Sequence, residues 1–146
     1  MLKGIPAIIS PELLKILCEM GHGDEITIGD GNFPGHSLSD RVVRLDGHGV
    51  PEILDAVLKL MPLDTYTEHP AALMAVVPGD NTPTPIWETY REIIRRHDPR
   101  GDACIETIER FAFYDRVREK SCCVVMSGET ATYANIILKK GVIKPE

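Results

Sequence analysis

No stretch of this sequence is long enough to cross a membrane as a helix. Its longest apolar run, Ala71 to Val77, falls far short of the roughly 20 residues a bilayer requires. It also lacks any lysine- or arginine-rich run. With 16 Lys and Arg against 22 Asp and Glu, the formal net charge is -6. Neither nucleic acid nor an anionic membrane surface is therefore an expected partner, because both reward a basic face. The adjacent Arg95 and Arg96 read as a solvated helix face. The first residues hold one lysine and no sustained apolar segment, which argues against a secretory leader. Cys18, Cys104, Cys122 and Cys123 show no Cys-x-x-Cys spacing, and the last two sit in an apolar run. All four read as buried thiols of a cytoplasmic protein rather than as a disulfide framework.

Several signatures of cofactor and nucleophile chemistry are missing as well. Gly29-Asp30-Gly31 is followed by Pro34 where a dinucleotide fingerprint needs glycine, and Gly35 comes one residue late. No glycine loop leads into Gly-Lys-Ser/Thr, and no Gly-x-Ser-x-Gly elbow is present. The histidines, His22, His36, His48, His69 and His97, have no helix-face or paired-ligand spacing, so no metal site is expected.

What is present is an alternation of strand and helix patterns over 146 residues, enough for one domain with a real core. Ser10-Pro11-Glu12 opens a helix: a hydroxyl cap, a proline where no N–H is needed, and an acid in the first turn. Leu13, Leu14, Leu17 and Met20 follow at helical spacing, and Gly21 is positioned to end the helix in a left-handed conformation. Strands are expected over 25–29, 42–45, 71–77, 104–108, 122–126 and 135–138, and further helices from Pro51, over 86–97 and over 111–120. The continuous apolar run Ala71 to Val77 reads as a strand covered on both faces. Pro78 to Pro85, with three prolines and a glycine, reads as loop. The fold class is α/β, a single domain over 1–146 with a helix-flanked, mixed or mostly parallel sheet.

In such sheets ligands collect at the carboxyl ends of strands. Asp30 follows the first strand, and His22 precedes it between Gly21 and Gly23, with Asp24 near enough in sequence to orient the imidazole. Taken alone these residues have plain structural readings. Aspartate caps turns by bonding its own backbone, and a lone histidine is commonly a surface residue. Tyr133 and Asn135 equally fit a cap on the last strand.

The stretch from Gly21-His22-Gly23-Asp24-Glu25 through Asp30-Gly31-Asn32-Phe33-Pro34-Gly35-His36-Ser37 resembles the N-terminal signature of the ribose-pyranase/fucose-mutarotase family. Ser127-Gly128-Glu129 and Tyr133-Ala134-Asn135 through Val142 resemble its C-terminal one. Between them, Glu109-Arg110-Phe111-Ala112-Phe113-Tyr114-Asp115-Arg116 resembles the fucose branch. The resemblance runs from Lys3 to Val142. It implies a sugar mutarotase that interconverts the α and β anomers of L-fucose by acid/base-catalysed ring opening and closure. D-ribose pyranase or mutarotase activity is the nearest alternative, and a non-catalytic monosaccharide-binding accessory protein is the third. The resemblance further implies no metal or organic cofactor, and homo-oligomers, often ring-like decamers, with sites near subunit contacts. It assigns His22 as the acid/base residue and places Asp30, Arg110, Tyr133 and Asn135 around the sugar. For the base opposite His22 it leaves Tyr133, Asp30 or a bound water. Ala134 stands where some fucose-type members have glycine, a feature shared with the ribose branch. Nothing is carried over for Asp64 to Pro70, including His69.

Overall fold

A computed structural model describes residues 1–146. The Ser10 hydroxyl accepts the Leu13 amide at 3.2 Å and starts helix α1, Pro11–Glu19. Such a cap contributes about 1 kcal/mol. The helix ends on Met20 in an extended conformation, and the left-handed glycine is Gly23, at φ +86°, rather than Gly21. The reason is local. Asp24 accepts the Gly21 amide at 2.7 Å, and the chain turns at Gly23 to enter strand β1, Glu25–Gly29.

The remaining elements follow in order: α2 (Gly35–Leu38), β2 (Val42–Leu45), α3 (Val50–Leu60), β3 (Ala71–Met74), α4 (Ile86–His97), β4 (Ile105–Ile108), α5 (Arg110–Lys120), β5 (Ser121–Ser127) and β6 (Ile136–Lys139). The short α2 is not expected from the sequence, and a 3-10 turn, Gly101–Cys104, takes the expected first residue of β4. The six strands form one sheet in the order β2-β5-β1-β6-β3-β4. All neighbours are parallel except β6, which runs antiparallel to both β1 and β3.

Alternation along the strands splits the interior in two. Ile26, Ile28, Ala71, Leu73, Cys123, Val125, Ile136 and Leu138 face α1, α3 and α4 in the main core. Ala72, Met74, Val124, Met126 and Ile137 face the other way, where Leu38 of α2, Phe113 and Val117 of α5, and Phe33 form a smaller cluster. Strands covered on both faces are the ones that read as continuous apolar runs. No helix is long and apolar enough to cross a membrane. The four cysteines are free, but only Cys104 and Cys123 are buried. Cys122 is half-buried and Cys18 is exposed, contrary to the expectation of four buried thiols. Cys18 falls on the outer face of α1, whose buried stripe is Leu13, Ile16 and Leu17. Arg95 and Arg96 do lie on a solvated helix face, Arg95 between Glu88 and Asp102.

The expected strand 71–77 stops at Met74 because its neighbour stops. β6 pairs with β3 only as far as Leu73 opposite Ile136. Before Ile136 the chain turns away through Tyr133, and the freed segment Ala75–Val77 is half-buried, with Val77 at the edge of a hollow. The antiparallel β6 thus opens the sheet at the carboxyl ends of β1 and β3.

Candidate active site

That opening is a hollow of about 340 Å³, at the small end of the range for ligand pockets. Asp30 reaches it from the end of β1, Met74 and Val77 from the end of β3, Arg110 and Tyr114 from α5, and Tyr133 and Asn135 from the start of β6. Asp30 is only 4% exposed. Its carboxylate accepts the Asn32 amide at 2.9 Å and the Ala134 amide at 3.4 Å. Burial pushes its pKa up, only partly offset by those amides. Asn135 uses its side-chain oxygen to accept the Asp30 amide at 2.8 Å, which leaves its NH₂ for the hollow. Asp30 and Asn135 therefore do cap the ends of β1 and β6, and the same contacts fix their remaining polar atoms.

Tyr133 sits at φ +55°, the single non-glycine residue in the left-handed region, at a cost of about 1–2 kcal/mol. Helix α4 holds it there. The Trp87 indole donates to the Tyr133 carbonyl at 2.7 Å, and the buried Tyr90 hydroxyl donates to the Ala134 carbonyl at 2.7 Å. The phenol then donates to Asp80 in the loop after β3, at 2.5 Å, and receives the Val77 amide at 3.4 Å. Arg110 is exposed at the rim. Its guanidinium bonds the Tyr114 hydroxyl at 3.3 Å and lies 5.4 Å and 5.5 Å from the centres of the Phe111 and Tyr114 rings. Phe33 stacks on Tyr114 with ring centres 5.9 Å apart, giving the hollow an aromatic floor.

His22 is elsewhere. It precedes β1 while Asp30 follows it, so about 16 Å of extended chain lies between the two ends. The carboxylate that orients the imidazole is Asp64, 42 residues away, not Asp24: His22 Nε2 meets Asp64 Oδ1 at 2.9 Å, and Asp24 is occupied by the Gly21 amide. Asp64 is 3% exposed and also accepts the Tyr66 amide and the Thr67 hydroxyl at 3.0 and 2.8 Å. Burial would raise its pKa, but these bonds and the His22 ring outweigh it and hold the carboxyl low. An ionised Asp64 only accepts, so Nε2 carries a hydrogen and Nδ1 is left for a ligand. Tyr66, 72% exposed, lies against the imidazole with ring centres 5.1 Å apart. Arg100 completes this end, donating to the Asp64 carbonyl at 2.9 Å.

Four of the five expected site residues thus converge on one hollow, and His22 is on a separate surface. Asp64, Asp80 and Tyr114 are missed by sequence reasoning. Asp80 lies in the segment read as loop and Asp64 in one for which nothing is carried over, and only pairing across the fold identifies them. His36 bonds Arg44 and His69 the Ala103 carbonyl, away from both places. No three His, Cys, Asp or Glu side chains are grouped to hold a metal ion.

The chain matches the RbsD / FucU transport protein family over residues 3–143. It is 50% identical to the fucose mutarotase of Homo sapiens over 97% of this chain and 94% of that one. The crystal structure of FucU from Bifidobacterium longum superposes with a TM-score of 0.95 at 57% identity, over 97% of this chain and 100% of that chain. That of the fucose mutarotase in complex with L-fucose from Streptococcus pneumoniae does so with a TM-score of 0.91 at 49% identity, over 98% of this chain and all of that one.

Proposed function

We infer that this chain, which belongs to the RbsD / FucU family, is an L-fucose mutarotase. The observation that carries the reading is the hollow at the opened sheet. It presents a buried carboxylate, an amide, a guanidinium and a phenol around an aromatic floor, in a chain about half identical to fucose mutarotases. Carboxylate, amide and guanidinium groups suit vicinal hydroxyls, and apolar rings suit the hydrocarbon face of a 6-deoxy sugar. Anomer exchange breaks the bond between the anomeric carbon and the ring oxygen. One group takes the anomeric hydroxyl proton while another protonates the ring oxygen. The aldehyde then rotates and closes on its other face.

His22 is the proton donor in this reading, and it must come from a second copy. Within one chain the strand β1 holds His22 and Asp30 apart. Both surfaces end in exposed aromatics, Tyr66 beside His22 and Phe111 beside Arg110, and an apolar recess of about 440 Å³ lies between Phe111 and Ala75–Pro78. Aromatic side chains of this kind are enriched in subunit interfaces. Joining two different surfaces of one chain is a heterologous contact, the kind that builds a closed ring when its rotation closes. The protein is then a homo-oligomer whose sites lie between subunits. Its four unpaired thiols support a cytoplasmic setting.

Saturation-transfer NMR between the α and β anomers tests the reading, with L-fucose and D-ribose in parallel. Exchange of L-fucose well above the spontaneous rate, faster than for D-ribose and unchanged by exhaustive chelation, is expected. Faster exchange of D-ribose would reassign the sugar. Binding of L-fucose without exchange would reduce the protein to a sugar binder.

A further inference from the structure

Ring opening requires a base opposite His22, and three titratable groups of the hollow could take that role: Asp30, Tyr114, whose hydroxyl already accepts from Arg110, and Tyr133. The Asp30 oxygens accept the amides of Asn32 and Ala134, and their remaining lone pairs suit them to hold sugar hydroxyls. Tyr133 is different, since its single hydroxyl proton is given to Asp80. A phenol that donates to a carboxylate can meet a ligand only through its lone pairs, so toward the sugar it is an acceptor. Asp80 is itself fixed. Its second oxygen accepts both the hydroxyl and the amide of Thr82, at 2.6 and 2.9 Å. The Thr82 bonds, then the Tyr133 bond, hold the Asp80 carboxyl below the usual carboxylate range, and its charge keeps the phenol protonated at rest.

We propose that Asp80 is the terminal proton acceptor of the reaction, acting through Tyr133. The proposal rests on the mutarotase reading. As the bond between the anomeric carbon and the ring oxygen breaks, the anomeric hydroxyl proton passes to the Tyr133 oxygen and the Tyr133 proton passes to Asp80. His22 protonates the ring oxygen. On closure each proton retraces its path, so no co-reactant is consumed. The geometry suits this role in two further ways. The left-handed backbone at Tyr133, clamped by Trp87 and Tyr90, aims the phenol at the loop. The hollow is lined by both members of the pair. The charged and titratable groups facing the pair are Arg110 and Tyr114 from α5 and Asp30 from β1. The positive Arg110 favours negative charge developing on the phenol. Asp80 is a positioning residue in this scheme, since it touches Tyr133 and not the sugar.

A purely structural Asp80, one that only ties down the loop after β3, makes different predictions. The test compares wild type, Asp80→Asn, Asp80→Glu, Tyr133→Phe and the Asp80→Asn/Tyr133→Phe double variant. Anomer exchange is read at saturating L-fucose over a range of pH, and binding by calorimetry. Asp80 is exposed, so its variants are expected to fold. Asp80→Asn should lose about a hundredfold in exchange, keep L-fucose affinity within about threefold, and lose the acid limb of the pH profile that Asp80 contributes. Asp80→Glu should recover part of the rate. In the Tyr133→Phe background Asp80→Asn should cost nothing further, because its effect passes through the phenol. Wild-type exchange by Asp80→Asn, a loss explained by weakened binding, or equal losses in both backgrounds would each overturn the proposal. A wild-type protein that does not exchange L-fucose anomers would instead refute the mutarotase reading, and this inference with it.

Discussion

The two ends of β1 are built in opposite ways. At its carboxyl end the sheet opens, and a buried aspartate, a strained tyrosine and two aromatic clamps from α4 shape a concave hollow. At its amino end a half-exposed imidazole stands on a buried carboxylate with Tyr66 beside it. In the proposed mechanism the binding groups gather at one end and the proton donor, His22, stands at the other. Each is held rigidly by contacts distant in sequence, and neither is a complete site. A strand covered on both faces cannot bend to bring its ends together, so the division is imposed by the fold itself. Two copies would resolve it without deforming either, as the proposed shared site requires.

The sharpest way to break this comparison is His22→Ala. Exchange should fall by about 10²–10⁴-fold, the usual range for a positioned acid. L-fucose affinity should change little, and the melting temperature should hold, because the side chain is 46% exposed. Unchanged exchange in a folded variant would remove His22 from the mechanism. Asp64→Asn tests the support beneath the imidazole. Losing the anionic partner of Nε2 should lower exchange by about 10–100-fold, by analogy with the loss of a carboxylate that orients a metal-bound histidine. The Asp64 pKa is lowered by folding, so its stabilisation is present above the ordinary carboxylate range and lost as pH falls through the folded value. The wild type should therefore lose stability in acid more steeply than Asp64→Asn, as thermal melts against pH would read.

At the hollow, Arg110→Ala should weaken L-fucose binding by about 1.5–3 kcal/mol, the contribution of charged hydrogen bonds to hydroxyls. Its melting temperature should not move, since Arg110 is exposed and bonds only Tyr114. Early melting with normal binding would make it structural. The smallest expected effect is on stability. Burial raises the Asp30 pKa, so the folded chain holds that proton more tightly than the unfolded one. The group therefore favours folding below the ordinary carboxylate range, and this gain is lost as pH rises through the folded value. Asp30→Asn should melt at or slightly above the wild-type temperature at neutral pH, with no advantage in acid, while losing sugar affinity. A large destabilisation at neutral pH would show that the carboxylate is there for the fold.

Much of this was readable from residue types. Ser10-Pro11-Glu12 starts a helix for local reasons, and the 86–97 periodicity matches α4 residue for residue. Asp30 and Asn135 could be read as strand-end caps because a strand end is a local feature, and the structure has them in that role. What escaped depends on distance in sequence. Asp64 has no signature of its own and becomes informative only when the bridge between Leu63 and Lys140 brings its loop beside His22. Asp80 lies in a proline-rich stretch whose composition says loop and nothing more. The left-handed Tyr133 contradicts its residue type, and only the α4 clamps make it tenable. Reading Gly21 as the left-handed residue was reasonable for a glycine after a helix, but Asp24 captures its amide and moves the turn to Gly23. The direction of β6 was equally hidden, because an alternation of element types carries no strand order.

The claim that the site is shared between two copies is tested most directly by mixing two disabled variants. His22→Ala and Tyr133→Phe each spoil a different end of β1. Co-expressed in equal amounts with different tags, and purified as mixed oligomers through both tags, they should place an intact hollow against an intact His22 at about a quarter of the heterologous contacts. L-fucose anomer exchange should then return to about a quarter of the wild-type rate, although each variant alone remains near the spontaneous rate. Mixed oligomers that form, by native mass spectrometry, and show no exchange beyond that of the separate variants would contradict the shared site.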